Sequence, residues 1–351
     1  MIHSKVLFIG PKVANLYLDI IAELQRQGYE VDFYEYKSYK LDPYNLRGYR
    51  KYGRIFTPSF LFERKIKKEW ASLLSTSPYN KKYDFLFVVD GDSLHPILFS
   101  ILKERNPHIR TINYLFDSTR RNYEFNHNFH LFDRVATFDI YDSNKYNIEL
   151  CPIYWVKEQE ESSLEYVFFG LGAYILDRYN LFASLTNYAH QYNLNSSIKI
   201  FSKEIKDTFG RRIKKKIVDK FCRSGMIPRE HYYSDLITHK AMAPTEYRKM
   251  INRSEIIIDS NAPEQDGLTA RFMWALGAEK KIITTNKFVK KYDFYSPEQI
   301  YIVDDDLNFE NNPIFTNFVR SEFHMTEKQR EIIKQYRIDF WIKNFFENKC
   351  G

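Results

Sequence analysis

The sequence predicts an α/β protein made of two doubly wound, parallel-sheet domains, and three stretches carry that reading. At the N-terminus, Lys5-Val-Leu-Phe-Ile-Gly reads as a buried strand. A helix from about Ala14 to Arg26 follows, then a second strand at Val31-Asp-Phe-Tyr. After the polar run 156–163 (VKEQEESS), Val167-Phe-Phe-Gly-Leu-Gly restarts the same strand–turn–helix logic. Further on, Ile256-Ile-Ile, a loop, an apolar-periodic helix and Lys281-Ile-Ile-Thr-Thr form another strand–loop–helix–strand unit. With 351 residues the chain is long enough for two cores of ordinary size. The boundaries read as 1–155, 156–325 and a terminal helical segment 326–351.

In the first domain, the opening strand–helix–strand lacks G-x-G-x-x-G, which argues against an NAD-type cofactor. From Lys37 to Lys68 the composition turns basic and Tyr-rich, with Arg47, Arg50, Lys51, Arg54, Arg64, Lys65, Lys67 and Lys68. Such a run is more often a solvated helix face over buried tyrosines than the nucleic-acid surface that its interleaved aromatics would also allow. Phe85-Leu-Phe-Val-Val is a buried strand that delivers Asp90-Gly-Asp92 at its carboxyl end, followed by Ser93 and His95. Two carboxylates at that spacing suit a divalent cation as hard oxygen ligands; a polar turn capping a helix from Pro96 to Arg105 suits them as well. The strand Thr111-Ile-Asn-Tyr-Leu-Phe ends at Asp117, which reads either as a general base or sugar-hydroxyl partner, or as a helix cap. Val135-Ala-Thr-Phe and Glu149-Leu-Cys-Pro-Ile close the domain as short strands.

In the second domain a helix is expected from about Leu176 to Gln191, then a strand at Ile198-Lys-Ile-Phe, with Lys203 just past its end. Arg211 to Arg223 reads as a basic amphipathic helix and Tyr233-Ser-Asp-Leu-Ile as a short strand. Pro244 opens a helix, as proline in a first turn does. Ile300-Tyr-Ile-Val supplies a further strand, ending in three acids. Thr326 to Asn348 reads as one long helix with Ile332, Ile333, Tyr336, Phe340 and Trp341 along one stripe.

The central unit carries the densest chemistry. Asp266 stands where a helix cap belongs, and Leu268, Phe272, Ala275 and Leu276 follow at helical spacing. The N–H groups of Gly267, Leu268 and Thr269 would then favour an anion, most simply a phosphate. Arg271, one turn in, would add charge-assisted hydrogen bonds. Glu264, Gln265, Asp266, Thr269, Arg271, Thr284, Thr285 and Asn286 all fall at strand ends or the helix start, the edge where open α/β sheets bind ligands. The bland alternative is that Asp-Gly provides capping and turn chemistry and nothing more.

Three runs in this region, Gln265-x-Gly-Leu-Thr-x-Arg, Lys280-Lys-Ile-Ile-Thr-Thr-Asn and Tyr292-Asp-Phe-Tyr, resemble bacterial glycosyltransferases of the GT-B type from capsule and lipopolysaccharide gene sets. The match is dense over roughly Ser254 to Asp304 and thin elsewhere. The resemblance implies two Rossmann-like domains facing across a cleft, with the last helix crossing back onto the first domain. It implies a nucleotide-sugar donor used as substrate, no further cofactor, no metal, and a glycan or lipid-linked acceptor. By that resemblance Gly170, Gly172, Arg178 and Lys203 join Asp266, Gly267, Leu268, Thr269, Arg271 and Asn286 on the donor. Glu264 and Gln265 take sugar or ribose hydroxyls, and Asp92 or Asp117 acts as acid/base on the acceptor side. The family's second Glu, eight residues after Glu264, is Phe272 here, with Trp274 nearby. That departure leaves a non-catalytic nucleotide-sugar binder as one alternative. A metal-dependent GT-A transferase using Asp90 and Asp92 is another, and a nucleic-acid binder is a third.

Composition narrows the partners. Hydrophobic residues make up 44% of the chain, ordinary for a globular protein. No apolar run approaches the ~20 residues of a membrane span, and the N-terminus lacks a signal-peptide cleavage pattern. Cys151, Cys222 and Cys350 lie far apart, which suits a reducing cytoplasm better than a disulfide framework. The net charge of +7 comes without a nucleic-acid-binding motif, so an anionic substrate or peripheral contact with an acidic membrane face is the simpler partner. The transferase reading hangs on the Gly267 amides holding a diphosphate; a turn buried against protein would take that reading down and leave a two-lobed α/β protein of unassigned purpose.

Overall fold

A computed structural model describes residues 4–12, 15–35, 58–91, 94–121, 123–157, 162–202 and 234–347. The chain divides into two compact units: Met1–Val156 with Pro263–Ala270 and Ile333–Gly351, and Lys157–Ala262 with Arg271–Ile332.

In the first unit, β1 (Lys5–Gly10), β2 (Glu30–Glu35), β3 (Phe85–Val89), β4 (Arg110–Leu115), β5 (Arg134–Thr137) and β6 (Glu149–Leu150) form one sheet in the order β2-β1-β3-β4-β5-β6. Every pairing is parallel. Phe85-Leu-Phe-Val-Val is buried along its whole length because both faces of a parallel sheet are covered. The helices are α1 (Leu16–Arg26), α2 (Ser59–Leu73), α3 (Ile97–Arg105) and α4 (Ile140–Tyr146). Helix α4 was not foreseen. Its cap is Asp139, whose side chain accepts from the N–H groups of Tyr141 and Asp142.

In the second unit, β7 (Tyr166–Ala173), β8 (Ser196–Phe201), β9 (Ile237–Thr238), β10 (Ser254–Asp259), β11 (Lys281–Thr284) and β12 (Ile300–Ile302) form a second parallel sheet, ordered β12-β11-β10-β7-β8-β9. Counted within the unit this is the 3-2-1-4-5-6 order of the Rossmann fold, and the order reverses between β7 and β10. The helices are α5 (Leu176–Gln191), α6 (Pro244–Asn252), α7 (Ala270–Gly277), α8 (Pro313–Arg320) and α9 (Glu327–Lys334). Phe182, Leu185 and Tyr188 of α5 pack with Ile198, Ile200 and Ile258 in its core. The strand expected at Tyr233–Ile237 is found one to four residues later. The basic helix expected at Arg211 to Arg223 lies outside the described residues.

The C-terminal segment differs from the single helix its stripe predicts. It forms α9 and a separate helix, α10 (Ile338–Phe346). Between them Arg337 makes a parallel bridge with Trp155: Trp155 N–H donates to Tyr336 O and Ile338 N–H to Trp155 O. Neither Pro nor Gly interrupts the sequence there; pairing with a distant strand-like residue breaks the helix. Trp341, 1% exposed, packs edge-on against Tyr114 and Phe87 and donates to Pro152 O at 3.1 Å, so α10 is part of the first unit's core.

Candidate functional site

Two sets of polar residues stand at the carboxyl edges of the two sheets. In the second unit, β7 and β10 are neighbours while their chains continue to opposite sides, so their carboxyl ends form the switch point. Arg178, in the first turn of α5, reaches back to tie these ends together. Its Nε donates to Ser260 Oγ at 2.8 Å, its Nη2 to Ser260 O at 2.7 Å and its Nη1 to Ala173 O. The side chain is buried, and Gly172 makes room for it: a Cβ there would stand 2.8 Å from Arg178 Cδ. Both residues, expected on the donor, thus stand together at the switch point and brace it. Gly170 lies within β7, where a Cβ would meet Ile258 and Phe182, so its role is close packing of α5 on the sheet.

Arg271 stands beside this brace. Its Nε and Nη2 lie 3.3 and 3.2 Å from Asp259 Oδ1, and Nη2 is also 3.2 Å from Ser260 O. Asp259 is buried at the end of β10, while a quarter of the Arg271 side chain is exposed. The carboxylate thus fixes a guanidinium whose five donors are only partly taken by it. Asn286, 4% exposed, accepts the Phe288 N–H at 2.9 Å and caps the short 3-10 segment Lys287–Lys291.

The largest correction concerns the Gly267 turn. Helix α7 begins at Ala270, not at Gly267, and Pro263–Ala270 belongs to the first unit. There the amides of Asp266 and Gly267 donate to Asp139 Oδ2, at 2.7 and 3.2 Å. Gly267 is packed so closely that a Cβ would fall 2.4 Å from Phe138 O, and Leu268 is fully buried. These amides do meet an anion, but it is the carboxylate of Asp139. Arg120 sits over the same place, 2.8 Å from Asp266 Oδ1 and 3.7 Å from Asp139 Oδ2. Burial disfavours the charged guanidinium, yet Asp266, Asp139 and Asp142 outweigh it and raise the Arg120 pKa. Asp142, also buried, accepts from Thr119 N–H at 2.7 Å and from its hydroxyl; burial pushes its pKa up despite those bonds.

Gln265 Nε2 donates to Asp117 Oδ1 at 2.7 Å, and the same oxygen accepts from Ser118 N–H at 2.9 Å and lies 3.3 Å from Arg121 Nη1. So Asp117 and Gln265 come together, each engaged with the other. Glu264 is exposed and Thr269 half-buried. Asp90 holds a left-handed backbone (φ 64°) and accepts the Phe116 N–H at 2.9 Å. Asp92 and Lys203 lie outside the described residues. Among the described residues no three His, Cys, Asp or Glu side chains are grouped to hold a metal ion, and no helix is long and apolar enough to cross a membrane.

Sequence reasoning missed Asp139, Asp142, Arg120 and Ser260. Asp139 was findable, since Asp directly after an apolar strand and before Ile140-Tyr-Asp is a helix-cap signal. Arg120 and Ser260 carry no local signal.

No protein family matches the chain, and neither does any curated protein. Solved structures are similar to it at low identity. The N-terminal domain of trehalose-6-phosphate phosphatase from Candida albicans is 10% identical, with a TM-score of 0.51 over 97% of each chain. UDP-GlcNAc 2-epimerase from Methanocaldococcus jannaschii is 12% identical, with a TM-score of 0.49 over 98% of this chain and 100% of that one. The Neisseria meningitidis UDP-GlcNAc 2-epimerase, bound to UDP-GlcNAc, is 11% identical, with a TM-score of 0.47 over 98% and 100%. At 10% identity the likeness to the trehalose-6-phosphate phosphatase domain speaks to the fold alone. That fold is two Rossmann-like, doubly wound units on one chain, the GT-B class.

Proposed function

We propose that the chain is a GT-B glycosyltransferase that moves a sugar from a nucleotide-sugar donor to a glycan or lipid-linked acceptor in surface-polysaccharide synthesis, without a metal, at the cytoplasmic face of a membrane. The observation that carries the reading is Arg271. It is a partly exposed guanidinium, anchored by Asp259 and Ser260 at the switch point of a Rossmann-ordered sheet. Ligands of such sheets bind at that point. A fixed cation there favours a diphosphate, and charge building on the leaving group during transfer would be stabilised by it. The Gly267 amide no longer contributes, because it donates to Asp139, so the reading passes from that turn to Arg271.

A second reading, a nucleotide-sugar binder without transfer chemistry, is favoured by a separate observation. The places where the resembled family carries its second acid are filled by Phe272 and Trp274, both buried in α7. The GT-A alternative is set aside by the two-sheet fold.

Thermal-shift measurements against UDP-, GDP-, TDP- and CMP-sugars test the reading, since a ligand bound only by the folded state raises its stability. One nucleotide class is expected to raise the melting temperature, and Arg271→Ala to abolish the rise while the ligand-free far-UV spectrum stays unchanged. No shift with any donor, or a shift that survives Arg271→Ala, refutes the assignment. Donor hydrolysis or transfer by the shifted complex separates transferase from binder.

A further inference from the structure

We infer that the outer face of α2 is a docking surface for an anionic lipid bilayer. The segment 37–68 holds ten Lys and Arg against two acids, so the other residues carry 42 Lys and Arg against 43 acids. The whole positive balance of the chain is thus concentrated in one stretch, and α2 is its C-terminal part. The helix seats itself by Phe62 and Ile66, which pack with Trp70 and with Ile97 of α3. These inward residues recur every fourth position and mark one side of the helix. Phe60, Leu61, Arg64, Lys65, Lys67 and Lys68 are all exposed. At 3.6 residues per turn they fall within an arc of about 160° on the opposite side. No acid interrupts that arc, because Glu63 and Glu69 lie on its flanks.

Single exposed apolar residues are ordinary on a protein surface. Here two adjoin each other, Phe60 at 60% and Leu61 at 46% exposed, at the end of a row of four cations. That combination matches an interface with negative headgroups outside and hydrocarbon just beneath. The cations meet the headgroups, and the Phe60–Leu61 end enters the acyl boundary. A polynucleotide would also attract the cations. Leu61 offers nothing to stack on a base, however, whereas hydrocarbon accepts both side chains.

Vesicle co-sedimentation of the full chain tests this. One set of vesicles is phosphatidylcholine alone, and the other an equal mixture of phosphatidylcholine and phosphatidylglycerol. The chain is expected to pellet with the mixed vesicles only. The double variant Lys67→Gln, Lys68→Gln is expected to lower the partition coefficient about thirtyfold at low salt. The pair Phe60→Ser, Leu61→Ser is expected to lower it on the order of tenfold. All four side chains point outward, so unchanged melting curves show that the fold is kept. Pelleting equally with both vesicle types, pelleting with neither, or variants that behave like the parent overturn the inference. So does retention on a DNA oligonucleotide that the lysine variant loses while vesicles do not bind. The inference rests on the membrane placement proposed above; the assay reads no sugar transfer, so its failure removes that placement and leaves donor binding and transfer to be judged separately.

Discussion

Gly267→Ala separates the two roles open to the Gly267 turn. If the turn cradled a ligand, a methyl group there would weaken binding and leave the empty protein's stability alone. In the structure the new Cβ would fall 2.4 Å from Phe138 O, and 2.5 and 2.8 Å from two carbons of the Phe138 ring. The nearest obstacle is a backbone oxygen, which cannot rotate away. Overpacking of this kind costs about 1–3 kcal/mol. The turn can relieve the clash only by withdrawing from Asp139. That loses at least one of the hydrogen bonds that the Asp266 and Gly267 amides make to a carboxylate, about 1.5–3 kcal/mol each. The expected loss is therefore about 3–5 kcal/mol. For a unit of this size, a fall of about 2–4 °C per kcal/mol puts the melting temperature of the ligand-free protein lower by about 10 °C. Differential scanning calorimetry, which resolves the two units if they unfold separately, is the measurement. A melting temperature within about 2 °C of the parent, together with weakened nucleotide-sugar binding, would refute the assignment of the turn to the first unit's core.

Two other outcomes follow from the same kind of reasoning. Gly172→Ala is expected to cost about 1–3 kcal/mol in urea unfolding, because the methyl displaces buried Arg178; in an Arg178→Ala background the same change is expected to cost much less, and equal costs in both would contradict the brace. Burial raises the Asp142 pKa above its ordinary 3.8, so the protonated form is the one that folding favours. The stabilising share is complete below the unfolded value and is lost as pH rises through the raised one. Asp142→Asn should therefore gain on the parent from about pH 4 upward, as read from urea midpoints; a difference that is flat with pH, or falls, would contradict it.

What the amino-acid sequence determined by itself was the alternation of the elements. Apolar runs such as Phe85-Leu-Phe-Val-Val and Ile256-Ile-Ile can be satisfied only by burial on both faces, and the helical stripes between them require a doubly wound, parallel arrangement. Pro244 set a helix start because its effect is local. Backbone polarity alone says that amides such as that of Gly267 seek an anion. Which anion they meet depends on Asp139, 128 residues away, and no pattern near Gly267 encodes that partner. The same holds for Arg178 with Ser260, 82 residues apart, and for Trp155, which splits the terminal helix at Arg337. Periodicity and capping act within a turn or two of chain and are legible in order. Pairings across the sheet edges depend on which ends the topology brings together, and only the folded chain decides those.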